Sequence, residues 1–113
     1  MNISFDGMNQ WTATFATSDA VEGHVVKMTA GATVGACADG DSFCGVTAAK
    51  RAGDACAVQL AGVVTAPYTG TAPTVGYAKL SANGTGGVKA SSTGREYLVL
   101  DIDPSANTVT FVL

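Results

Sequence analysis

The sequence predicts an all-β fold: a small compact β-barrel or sandwich of about seven or eight short strands with a C-terminal hairpin. Three observations predict it. Ala, Gly, Thr and Val supply 60 of the 113 residues; Thr and Val favour pleated, half-buried surfaces, and Gly punctuates turns. Short alternating stretches recur with turn residues between them, at roughly ten-residue spacing. The one stretch that reads as helical, TAAKRAGD (47–54), has room for a single turn at most.

The first twenty residues read as an apolar arm or an edge strand, and residues 21–113 as a single β-barrel domain. Within 1–20, WTATF places Trp11, Ala13 and Phe15 on one face and Thr12 and Thr14 on the other, the period of a half-buried strand. HVVKM (24–28) follows the turn-like TSDAVEG, and SFCGV (42–46) comes next. ACAVQLAGVVTA (55–66) is nearly all apolar and rich in Val and Gly. It reads as one long central strand covered on both faces, with Gly62 permitting a bend. VGYAKLSA and GGVKA flank NGTGG as a hairpin. In the last hairpin, Leu98, Leu100 and Ile102 share one face of EYLVLDI, and Val109, Phe111 and Leu113 one face of TVTFVL. DPSAN between them is a turn in which Asp103 accepts from the backbone beyond Pro104.

Composition bounds the function classes. Val, Leu, Ile and Phe number 24 and the net charge is −3, so the chain collapses into one thin-cored domain. Only six Lys and Arg are present, with Lys50-Arg51 the one adjacent pair; nucleic-acid binding, which needs clustered cations, is not expected. No apolar run approaches a membrane span. The N-terminus lacks the basic and apolar regions of a signal peptide, so a reducing compartment is expected for the three cysteines. The sequons at Asn2 and Asn83 then carry no sugar.

The densest cluster of chemistry-bearing residues is CADGDSFCGV (37–46). With Gly40-Asp41 as the central residues of a type II′ turn, strand pairing sets Cys37 opposite Cys44, within disulfide reach. The compartment disfavours that bond, and the cysteines read as small hydrophobes. No metal is expected: zinc wants four ligands at short paired spacings, and Asp39 with Asp41 falls short of a calcium loop. Asp101 and Asp103 could share a cation or a proton, but read as a solvated strand end. His24 has nothing local to orient it as a base. Neither GTAPTVG nor GTGG is a phosphate cradle. The sequence therefore predicts no catalytic residue, no cofactor and no enzyme.

What stands out is the apolar series Met1, Ile3, Phe5, Met8 and Trp11. It either closes the barrel's own edge or, with Pro67 and Tyr68 of the aromatic APYTG loop, docks on another subunit or a larger surface. The expected interface residues are Ile3, Phe5, Met8, Trp11, Pro67 and Tyr68.

From about Val21 to Leu113 the order of pieces resembles the small phage head proteins of the capsid cement, or decoration, family. The matching pieces are GHVVKM, CADGDSFCGV, GDACAVQLAGVVTAPYTG, VGYAKL and YLVLDIDPSANTVTFVL. Within them lie Gly45-Val46 after a loop, Gly53-Asp54 leading into a long strand, the Gly62–Pro67 segment and the return from Gly70 to Tyr77. The resemblance implies a non-catalytic β-rich protein on the virion surface. It would be assembled in the bacterial host cytoplasm, bind the major capsid protein lattice as a homotrimer and stiffen the shell. The alternative is a small-ligand or glycan-binding barrel, which requires Trp11, Tyr68, Tyr77 and Tyr97 to converge on one cleft.

Overall fold

A computed structural model of the chain describes residues 11–51 and 54–113. The described residues form ten strands in two sheets and no helix. The all-β prediction is met with more and shorter strands than expected. One sheet holds β1 (Trp11–Ala16), β2 (Val25–Ala30), β3 (Thr33–Ala36), β4 (Gly45–Arg51) and β5 (Ala55–Ala61). It closes into a barrel in the order β1-β3-β2-β4-β5. The other holds β6 (Val63–Pro67), β7 (Gly76–Ala82), β8 (Val88–Ala90), β9 (Arg95–Asp103) and β10 (Thr108–Val112), in the order β6-β10-β9-β7-β8. Residues 11–16, assigned from sequence to an arm or edge strand, pair along β5 and belong to the barrel.

Gly62 does more than bend a strand. Its φ of +97° is open to glycine and strained for other residues, and there the chain leaves the barrel for the second sheet. The predicted single strand over 55–66 is therefore two. Gln59 Nε2 holds the junction by donating to the carbonyls of Ala61 (3.1 Å) and Val63 (3.0 Å). Leu113 N donates to Gly62 O at 3.0 Å, tying the last residue to the same point.

Within TAAKRAGD, Thr47–Arg51 form no helical turn: they lie in β4, paired against Ala55–Val58 of β5. Local helix preference for Ala and Lys is weak, and the ladder offered by β5 overrides it. Both predicted hairpins form. β7 pairs with β8 around the 83–87 loop, which Asn83 caps by accepting from Thr85 N (2.8 Å) and Gly87 N (3.1 Å). β9 pairs with β10, and Asp103 accepts from Ser105 N, Ser105 Oγ and Ala106 N. The single face predicted for Leu98, Leu100 and Ile102 does not hold, however. The register steps from Thr110↔Asp101 to Phe111↔Val99, leaving Leu100 as a bulge residue. An unpaired residue inverts the alternation, so Tyr97 and Val99 are buried, Ile102 packs against them, and Leu98 is only half-buried.

Two cores result. Ala20, Val26, Val34, Cys56 and Val58 fill the barrel, with Phe15, Cys44 and Leu60 packed against them. Between barrel and second sheet lie Val25, Phe43, Val46, Val64, Tyr68, Leu80, Tyr97, Val99, Val109 and Phe111. Val25 and Val26 point to opposite faces of β2, so that strand serves both.

Candidate functional site

The 37–46 segment is not a hairpin. β3 and β4 flank β2 on opposite sides, with Val26 facing Ala36 in one direction and Gly45 in the other. Cys37 and Cys44 are thus separated by β2 instead of facing each other, and all three cysteines are free thiols. The turn is centred on Asp39-Gly40, one residue earlier than predicted: Asp41 N donates to Ala38 O at 3.1 Å and Gly40 has φ +87°. From this turn the loop clamps the second sheet. Gly40 N donates to Ala82 O (2.8 Å), and Ala82 N to Asp41 O (2.9 Å).

The two aspartates hold the clamp from its sides. Asp39 pairs with Lys89 at 2.9 Å, and Asp41 with Lys27 at 2.5 Å. The hydrogen bond from Lys27, with a second from Ala38 N, holds the Asp41 carboxyl below its ordinary range. The same pairing raises Lys27. Phe43, carried by this loop, stacks on Tyr97 with centroids 5.1 Å apart and meets Phe111 edge-on at 5.9 Å. Burial pushes the Cys37 thiol up to about 11, and raises Cys44 and Cys56 as well. A thiol so shifted carries little thiolate at neutral pH, the reverse of an activated nucleophile.

The other candidates lie in separate surroundings. Gly86 sits against the His24 ring so closely that a Cβ there would lie 2.4 Å from Nδ1. Asp103 is committed to its turn, whose donors lower its carboxyl; Asp101 is exposed opposite Thr110. Among the described residues no three His, Cys, Asp or Glu side chains come together as a metal-binding group.

Of the expected interface residues, Ile3, Phe5 and Met8 lie outside the described residues. Trp11 is 68% exposed on β1, and Pro67 is exposed at the end of β6. Tyr68 is a correction: it is only 7% exposed and lies in the core between the sheets. The alternation of β6 runs on past Pro67, so Val64, Ala66 and Tyr68 share the inner face. The bridge from Tyr68 to Val88 then ties that end to β8. Tyr97 is likewise in the core, whereas Trp11 and Tyr77 stand on different sheets. The four aromatics required for a glycan cleft do not converge.

Sequence reasoning missed the largest exposed apolar group on the second sheet. Tyr77 is 72% and Val75 67% exposed. Tyr77 faces Leu98, which faces Val112, and these two are half-buried. Register partners share a face, so the three side chains form a row across β7, β9 and β10 on the outer side. The signal lay in the alternation of GYAKLSA, where inward Leu80 sets Tyr77 outward. No protein-family model matches the chain, and no curated protein matches it.

Proposed function

We propose that the chain is a non-catalytic structural protein that decorates and stabilises the exterior of a phage capsid on the virion surface. Its partner is the major capsid protein lattice, which it binds as a homotrimer assembled in the bacterial host cytoplasm. The observation that carries this reading is the apolar row of exposed Tyr77 and half-buried Leu98 and Val112 on the outer side of the second sheet, with exposed Val75 next to it in the chain. Large apolar side chains grouped on a rigid surface mark contact sites. The motif order that resembles capsid decoration proteins supports this choice of partner. Each contact can be weak, because copies on a lattice bind together with gains in avidity. Trp11 and Pro67, at other places on the molecule, are exposed as well.

The test is co-sedimentation of the purified chain with undecorated capsids. The wild type pellets with the shells, and Tyr77→Lys lowers the bound fraction at least tenfold while its thermal melting is unchanged. Failure of the wild type to pellet with any phage shell offered, at micromolar concentration, overturns the reading.

A further inference from the structure

The strand edges of this molecule are unequally protected. Exposed edges invite pairing with another chain, and proteins blunt them. On β3, the carboxylate of Asp19 accepts from Ala36 N at 3.2 Å and occupies the edge beyond Thr33. β8 has three residues, and Thr69 N donates to Val88 O. β6 ends in Pro67, beside the Tyr68–Val88 bridge. β1 has no such device among the described residues. It meets β3 only where Ala16 faces Thr33, in a parallel pair, so β3 begins where β1 ends. From Trp11 to Phe15 it has β5 on one side and no described strand on the other.

The direction of the backbone groups follows from two hydrogen bonds. Ala16 N donates to Ala32 O, away from β5, and Thr17 N donates to Asp54 O, continuing the β5 side. Alternate residues of a strand present their backbone groups to opposite edges. Hence Thr12 and Thr14 direct N–H and C=O to the open edge, while Ala13 and Phe15 bond to β5. The skipped residue in this pairing is Leu60 of β5, so the alternation of β1 is unbroken.

The sequence of this edge reads nearly the same in both directions: Trp11-Thr12-Ala13-Thr14-Phe15, aromatic, Thr, Ala, Thr, aromatic. We infer that β1 pairs antiparallel with β1 of a second copy of this chain, about a twofold axis through Ala13. In that register Thr12 faces Thr14 of the second copy, and each such pair exchanges both of its backbone hydrogen bonds. Trp11 comes opposite Phe15 of the second copy, giving a cross-strand aromatic pair at each end. The strand carries no charge, so the twofold axis brings no like charges together. This self-complementarity is what an isologous contact requires. The inference is independent of the capsid reading, and it is compatible with a trimer, since an icosahedral lattice contains both twofold and threefold axes.

The test uses the full chain bearing Ala13→Cys, treated with oxidised glutathione. Residues on the twofold axis form a non-hydrogen-bonded pair with Cα atoms about 4.5 Å apart, within disulfide range. The expected result is a cross-linked dimer on a non-reducing gel, several-fold more abundant than the wild type gives through its own thiols. Adding Thr14→Pro removes an N–H that serves only the open edge; it should abolish the excess dimer without changing the far-ultraviolet circular dichroism. If the proline variant fails to fold, Thr14→Lys makes the same test. No excess dimer from Ala13→Cys overturns the inference. So does a dimer that appears only after residues 1–10 are deleted, because the chain's own N-terminal segment would then be the occupant. A dimer undiminished in the folded Thr14 variant overturns it too.

Discussion

Inside the barrel, Ala20, Val26, Val34, Cys56 and Val58 fill the space; between the sheets, the rings of Phe43, Tyr97 and Phe111 fill it. Among the described residues the barrel has no fully buried ring, and its strands come close enough for backbone to stand in for side chain. Gly45 shows how close: a Cβ at that position would lie 2.3 Å from Gln59 O and 2.8 Å from Val58 Cγ1. The other core is held by three mutually packed rings, with Tyr97 and Phe111 edge-on at 5.3 Å. One of the three, Phe43, comes from a loop and not from a strand. The barrel is thus intolerant of added volume, whereas the space between the sheets is intolerant of lost volume.

The largest effect expected from this contrast is on Phe43. Phe43→Ala opens a cavity where the loop pins barrel to sheet, and should cost about 3–5 kcal/mol, read from the urea midpoint. An equal loss from Val58→Ala would erase the distinction between the cores. Gly45→Ala should come next, at roughly 1–3 kcal/mol, because β4 and β5 must part to admit the methyl group. In contrast, Gly31→Ala, which meets nothing within 4 Å, should leave the midpoint within about 0.5 kcal/mol of wild type.

The smallest effect belongs to the clamp's surface pair. Asp41 has a lowered folded pKa, so its contribution is present above the unfolded carboxylate value, about 3.9, and is lost as pH falls through the folded value. Lys27 has a raised folded pKa, so its contribution is full below about 10.4 and is lost as pH rises through the folded value. Lys27→Met should therefore lower Tm slightly at pH 7 and not at all at pH 2, where the carboxyl is protonated. A larger drop at pH 2 would show that the lysine acts through packing of its stem instead.

What was legible in the sequence was local. The Asn83-Gly84 and Asp103-Pro104 turns, the alternation of WTATF and the special place of Gly62 can each be read from a few neighbouring residues. What was hidden depends on partners distant in the chain. The Leu100 bulge is set by the pairing of β9 with β10, and a period-2 reading carries across it in the wrong phase. Pro67 and Gly70 made Tyr68 look like a loop residue, although the strand's alternation carries its ring inward. Phe43 lies 54 positions from Tyr97, and nothing near CADGDSFCGV indicates that its aromatic residue will close the other core. Of the candidate surface, Trp11 was legible because its strand is; Tyr77 was read only as a cleft aromatic, because inward Leu80 was not used to set it on the outer face.

The pairing of β1 with β5 also has a consequence for synthesis. Ala16 precedes Ala61 by 45 positions, and chains grow at roughly 5–20 residues per second. For roughly 2–9 s after β1 is made, its long-range partner does not yet exist. During that interval both sides of Trp11–Phe15 lack the β5 ladder, on nascent chains that can sit side by side along one messenger. Completion of β5 then takes up the backbone groups of Ala13 and Phe15, and those of Thr12 and Thr14 remain for anything else.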